Sequence, residues 1–398
     1  MSECSFSVRF VESEAQIPAA LWAACFPPPL EGPWWYQALE GCGVQDQFGF
    51  HYGVISQGGR EVGIAPTFLM DVPVDVVMPA EILPLFKAVG KVWPAVMFQR
   101  SLFIGSPCSD EGAIGLLPGI DRRAALLCVQ DAADKLAREL GAPMLVWKDF
   151  PNSYAEDMAW VSEQRQLFRL TSFPGMVAPV PGGSKDAYFA TLKASRRHAL
   201  KKKLRRSAES ADLTSEVIRQ PDAATMDEIF ALFWQTYERA HTKFETLNRR
   251  FFDLIAANPQ AVFLVAREKV EGKMVAFMLC FDLGDTLINK FIGMDYAQPK
   301  DWMLYFRLWS MALDLAESLG ATEIQSGQTG YSPKIEMGHD FVPLTTYCRH
   351  RSWLMNKIYA YVAKSVDWSS LDGDLAIFMK AHPEADRAAC GPAAQVNG

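Results

Sequence analysis

The stretch Asp131-Ala-Ala-Asp-Lys-Leu-Ala-Arg-Glu-Leu-Gly-Ala-Pro-Met-Leu-Val-Trp147 has a counterpart further along the chain, Ser310-Met-Ala-Leu-Asp-Leu-Ala-Glu-Ser-Leu-Gly-Ala-Thr-Glu-Ile-Gln-Ser326. Both carry Leu-Ala-x-x-Leu-Gly-Ala at the same place, a helix closed by glycine and followed by a short strand. A weaker match pairs Gly59-Arg-Glu-Val-Gly-Ile-Ala65 with Gly272-Lys-Met-Val-Ala-Phe-Met278. Self-similarity of this kind points to one fold written twice. The copies end differently. The first runs into Leu145, Val146 and Trp147, whereas the second runs into Gln325, Ser326, Gly327 and Gln328. Only the second has the polarity expected of a site.

Working outward, strands are expected over 48–56 and 61–70 around the Gly58-Gly59 turn, and a helix over 121–140. An apolar, proline-punctuated insertion of the first copy occupies roughly 71–104 and is expected to pack as core or to form a lid or membrane-touching element. Pro181-Gly182-Gly183 marks a boundary. Beyond it come a helix over 184–210, a strand over 213–218, helices over 222–240 and 248–257, and strands over 261–267, 274–282 and 286–293. The repeat helix over 302–319, a strand over 322–325 and a last strand over 342–350 complete the pattern. The expected fold is α+β, two mixed, mostly antiparallel sheets flanked by helices. The expected division is 1–182, a basic connecting helix 183–212, a second domain 213–382 and a flexible tail 383–398.

A chain of 398 residues is long enough for two well-filled domains, and 49% hydrophobic with 21% charged residues is a globular composition. A net charge of −7 argues against a dedicated nucleic-acid binder. The eight cysteines are scattered, with no Cys-x-x-Cys pair and no zinc spacing, so reduced core thiols, no metal and a cytoplasmic setting are expected. The N-terminus has no basic-then-apolar leader, and no uncharged run approaches the roughly 20 residues of a bilayer span.

Three features carry candidate chemistry. Lys193-Ala-Ser-Arg-Arg-His-Ala-Leu-Lys-Lys-Lys-Leu-Arg-Arg206 places eight cations on one helix around the apolar stripe Phe189, Leu192, Leu200 and Leu204. Arg196, Arg197 and Lys201 are candidates to hold phosphate, tRNA or an anionic headgroup; the bland alternative is a solvated face. Gln325-Ser-Gly-Gln-Thr-Gly-Tyr-Ser-Pro-Lys-Ile-Glu-Met-Gly338 follows a strand as a polar loop, with Gln328, Tyr331 and Lys334 as donors. In Phe233-Trp-Gln-Thr-Tyr-Glu-Arg-Ala-His241, helical spacing brings Trp234, Tyr237, Glu238 and His241 to one face, where His241 or Glu238 can act as a base toward an amine. Asn289 and Lys290 interrupt an apolar strand and must face opposite sides of the sheet. Walker, zincin, nucleophile-elbow and Rossmann motifs are missing from the sequence.

These residues resemble the FemAB-like branch of the GNAT acyltransferase superfamily. Leu192-Lys-Ala-Ser-Arg-Arg-His-Ala-Leu-Lys-Lys-Lys203 is similar to its arginine-rich connecting helix. Phe233-Trp-Gln-Thr-Tyr-Glu-Arg239, with Phe251-Phe252, is similar to its aromatic helix pair. Gly330-Tyr-Ser-Pro-Lys-Ile-Glu-Met-Gly338 through His350 resembles its closing motif. The resemblance implies two tandem GNAT-like domains and transfer of an acyl or aminoacyl group to an amine of a small molecule or cell-envelope precursor. It implies acyl-CoA or aminoacyl-tRNA as donor, with Lys334 matching a lysine near the phosphate or acyl group. The loop Gly293-Met-Asp-Tyr-Ala-Gln-Pro-Lys-Asp301 has one glycine where standard GNAT enzymes cradle pyrophosphate. A non-catalytic protein that recognises a phosphorylated precursor or anionic lipid is the alternative, and peripheral membrane contact is compatible with either.

Overall fold

The computed structural model describes residues 6–73, 98–239 and 245–382. The chain forms two compact units, each containing a segment that is distant in sequence. The first comprises 1–27, 43–174 and 343–398; the second comprises 28–42 and 175–342. These limits differ from the division at 182 expected from the sequence. Residues 28–42 join the second unit, and the last strand joins the first.

In the first unit the strands are β1 (Phe6–Val11), β2 (Gly49–Gln57), β3 (Arg60–Pro73), β4 (Phe98–Ile104), the two-residue β5 (Gly115–Leu116), β6 (Met144–Pro151) and β7 (Phe168–Thr171). In the second they are β8 (Gly175–Pro179), β9 (Leu213–Ile218), β10 (Ala261–Glu268), β11 (Met274–Leu283), β12 (Thr286–Met294), β13 (Glu323–Gln325) and β14 (Asp340–Val342). The chain then returns to the first unit as β15 (Leu344–His350). The first sheet has the order β1-β2-β3-β4-β6-β15-β7, with β5 against β3. The second has the order β9-β10-β11-β12-β13-β8-β14.

The two orders are the same design position by position. Three antiparallel neighbours lead to a fourth strand, which pairs in parallel with a fifth. The crossover helices between fourth and fifth strands are Arg122–Glu139 and Leu304–Leu319, the two copies of the repeat. Gly141 (φ 69°) and Gly320 (φ 73°) follow them in the left-handed conformation that the shared Leu-Gly-Ala demands. The weaker match falls on β3 and β11, the third strand of each sheet. Between third and fourth strands the second unit has only Gly284 and Asp285, so the insertion is located there; its residues 74–97 lie outside the described residues, and 98–104 form β4.

The sixth position holds a trade. The first sheet is completed by β15, from after the second unit's strands, and the second by β8, from before them. The chain leaves each unit at a proline, Pro174 after β7 and Pro343 after β14. Proline has no amide hydrogen for a ladder, so pairing stops there and the chain is released to the other unit.

Each sheet buries its own core. Leu102, Leu126, Ala133, Leu145 and Trp147 centre the first, and Leu264, Val275, Leu308, Ala312 and Ile324 the second. Among the described residues no helix is long and apolar enough to cross a membrane.

Candidate functional site

The two copies diverge at the fork between fourth and fifth strands. In the first unit β4 stays paired with β6 to its last residue, Ile104 opposite Trp147. In the second, β13 pairs only with Thr286–Ile288 of β12. From Asn289 to Met294, β12 keeps β11 on one side and has no strand on the other among the described residues. The far end of this open edge is capped where the Met294 amide donates to Thr236 Oγ1 of the helix Ala223–Arg239, at 3.3 Å. That helix lies close because residue 293 is glycine. A Cβ there would stand 2.6 Å from the Leu232 carbonyl carbon and 2.7 Å from the Phe233 nitrogen.

A buried polar chain sits at the root of the fork. The Cys280 thiol donates to Asn289 Oδ1 (3.2 Å), Asn289 Nδ2 to Ser326 Oγ (3.4 Å), and Ser326 Oγ lies 2.9 Å from His339 Nε2. His339 Nδ1 lies 3.1 Å from the Lys334 carbonyl oxygen, which can only accept. Nδ1 therefore carries the proton, and Nε2 accepts from the Ser326 hydroxyl. Every member is satisfied with the ring neutral. Burial, with the Lys334 charge adding to it, pushes the His339 pKa down to about 3. The Cys280 thiol is pushed up by burial, as expected of an inert core thiol.

From Ser326 the chain turns through Gly327 (φ 58°), Gln328, Thr329 (φ 60°) and Gly330 (φ 59°). A β-branched residue in the left-handed region is strained and must be held there by its surroundings. Lys334 does the holding. Its side chain is buried, and its ammonium donates to the carbonyls of Ser326, Gly327 (3.2 Å) and Gln328 (3.2 Å). The sequence suggested a loop through 338, but Tyr331–Met337 is a short helix between left-handed Gly330 and Gly338. Its turn buries Tyr331, Lys334 and Met337 on one face. Gln328 is half-buried on the loop, and Tyr331 is fully buried with its ring 6.3 Å from that of Phe341.

Asn289 and Lys290 do face opposite ways. Asn289 opposes Cys280 and Phe291 opposes Leu279, which leaves Lys290 as the extra residue of a β-bulge. Its side chain, 2% exposed, lies 3.1 Å from Glu31 Oε1 and 5.0 Å above the Trp35 ring. The helix Pro33–Gly41 thus fills the other face of β12, with Trp35 edge-on to Phe251 and Phe281. On the helix Ala223–Arg239, Trp234 donates to Glu238 Oε1 (3.0 Å), and Tyr237 Oη lies 2.7 Å from Thr246 Oγ1. Trp234 and Glu238 are exposed. His241 lies outside the described residues.

The basic helix spans Ala194–Ser210. Lys203 pairs with Glu336 and Arg205 reaches Glu209 (4.0 Å). Arg197 donates to the Phe189 carbonyl (3.4 Å), and Lys201 lies 4.9 Å above the Phe189 ring. Among the described residues no carboxylate lies within 4 Å of Arg196, Arg197 or Lys201, so this face keeps a surplus of positive charge.

Two features were not legible in the sequence. The buried Asp295 carboxylate accepts from Lys273 Nζ (2.7 Å), the Ala297 amide (3.0 Å) and Gln298 Nε2 (3.1 Å). It anchors the glycine-poor loop with an anion of the chain's own. In the first unit, Lys148 and Asp149 follow Trp147 as a half-buried ion pair (2.8 Å). Asp149 is left-handed (φ 57°), and its amide and carboxylate both meet Thr346 Oγ1. The first copy is therefore polar just beyond its apolar Leu145, Val146 and Trp147.

Two sheets of one strand order, with an open fork in the second, define a duplicated α+β protein of mixed, mostly antiparallel sheets flanked by helices. Residues 182–368 match the family model FemAB-like, described as peptidoglycan biosynthesis/recognition. The crystal structure of FemX aligns with 88% of this chain and 100% of its own at TM-score 0.57 and 11% identity. A conserved protein of unknown function from Bacteroides thetaiotaomicron aligns over 86% and 98% at TM-score 0.51 and 12% identity. A tandem GNAT protein from the clavulanic acid biosynthesis pathway aligns over 87% and 99% at TM-score 0.47 and 11% identity. At these identities the likeness to FemX and to the Bacteroides protein is one of fold. No curated protein sequence matches the chain.

Proposed function

We propose that the protein is an N-acyltransferase of the FemAB-like type, acting in the cytoplasm on an amine of a cell-envelope precursor at the fork of the second unit. The observation that carries this reading is the open edge of β12 beside a strained loop whose carbonyls are gathered by Lys334. The amine nitrogen bonds to the donor's carbonyl carbon while the C–S bond of a thioester or the C–O bond of an aminoacyl ester breaks. The amine proton passes to Glu238, His241 or water, and the leaving thiolate or alkoxide is protonated. No covalent enzyme intermediate is required.

Lys334 acts in this scheme through the loop. By drawing three carbonyls inward it presents Gln328 and the loop's other face to the donor, and its charge favours a developing oxyanion nearby. Arg196, Arg197 and Lys201 would hold phosphate of the donor or acceptor. Trp234 and Tyr237 would form an aromatic wall, and Asn289 with Ser326 the floor of the fork. Tyr331 and Lys290 support it from beneath. The Asp295 carboxylate already takes the Ala297 amide of the loop that cradles pyrophosphate in standard GNAT enzymes, which favours an aminoacyl ester over acyl-CoA.

The same Asp295 loop favours a second reading, a GNAT scaffold that binds a precursor without turnover. Incubation with an amine-bearing muropeptide precursor and either charged tRNA or acyl-CoA separates the two. Product with charged tRNA supports transfer. Tight precursor binding with neither donor consumed supports the binding protein.

A further inference from the structure

Helices of a water-soluble domain turn their apolar side inward. The helix Trp353–Ala363, in the first unit, turns a broad apolar side outward as well. Its inward side is anchored by polar contacts. Asn356 Nδ2 donates to the Gln166 carbonyl (3.0 Å), the His350 amide donates to Asn356 Oδ1 (2.8 Å), and Tyr359 Oη donates to Gln99 Oε1 (2.9 Å). Its outward side carries Trp353, Leu354, Ile358 and Tyr361, exposed by 67, 59, 43 and 78%. At helical spacing these four share one face with Lys357 and Lys364.

The segment that carries this face has charge of one sign. From Phe341 to Val366 the sequence contains no aspartate or glutamate, although the whole chain has a net charge of −7. Among the described residues no carboxylate lies within 4 Å of Arg351, Lys357 or Lys364. Trp and Tyr prefer the headgroup level of a bilayer, Leu and Ile reach below it, and lysines at the rim meet anionic lipid.

We propose that the helix Trp353–Ala363 is an interfacial anchor that docks the protein on an anionic lipid bilayer. The proposal is independent of the acyltransferase reading, since no residue of the fork takes part.

The test is co-sedimentation of the full chain with vesicles of equal parts phosphatidylglycerol and phosphatidylcholine, and with phosphatidylcholine alone. Binding is expected to the mixed vesicles, weaker by about tenfold or more on neutral ones and on raising salt. The variant Trp353→Ser/Leu354→Ser/Tyr361→Ser should lose about tenfold or more, and Lys357→Glu/Lys364→Glu should lose binding to the anionic vesicles. All five side chains are exposed, so unchanged thermal melts should accompany these losses. Binding undiminished in the apolar variant overturns the proposal. So does a wild-type dimer that ignores vesicles and dissociates in that variant, because the face would then be an interface between two copies.

Discussion

His339 shows how a single buried side chain constrains the fork. The ring is neutral because it is desolvated and lies near Lys334, with a folded-state pKa of about 3 against an ordinary 6.5. Between those values the unfolded chain binds a proton that the folded protein refuses. Stability is therefore complete above about pH 6.5 and falls as pH drops toward 3, by up to ~1.4 kcal/mol per pH unit. Urea melts across about pH 4.5 to 7 should show this slope in the wild type. His339→Gln should be flatter by that amount; identical slopes would mean that His339 is accessible to protons. Asn289 was visible in the sequence because it interrupts an apolar strand, and Lys334 because it belongs to a polar stretch that follows one. His339 was not, since it lies within the closing motif and its partners come from three elements. Nor did the sequence show that Lys334 would meet backbone carbonyls, because a buried and an exposed lysine are spelled alike.

The helix Ala223–Arg239 and β12 meet at Gly293 without room for a methyl group. Gly293→Ala forces helix and strand apart and should cost about 2 kcal/mol. Chemical denaturation measures the cost, and a loss no larger than that of an exposed glycine substitution would contradict the close approach. Periodicity placed most helices and strands of the second unit near their observed ends, because those elements bury one face over several turns or residues. Tyr331–Met337 was missed, being too short to show a period. Its ends are set by two left-handed glycines, whose conformation is a property of the folded backbone.

The repeated Leu-Ala-x-x-Leu-Gly-Ala implied a duplicated fold, and two sheets of identical strand order bear that out. The trade of β8 and β15 was hidden. Strand pairing is decided by which edge is left open at the end of folding, and nothing in an apolar five- to seven-residue run names its partner. A chain ending at Val342 would lack β15, leaving β7 without its neighbour and β6 open on one side. Amide exchange over Met144–Pro151 should then quicken by about a hundredfold, while β10 and β11 keep their protection. Equal loss in both sheets would indicate that the two units fold as one.

The most direct measurement is the kcat/KM for transfer to an amine-bearing envelope precursor by Gln328→Ala and Lys334→Ala beside the wild type, with thermal melts of each. Gln328→Ala is expected to fall about tenfold with its melt unchanged, and Lys334→Ala about a hundredfold with a lowered melt. Wild-type turnover with both variants equally active would place the chemistry away from the fork of the second unit.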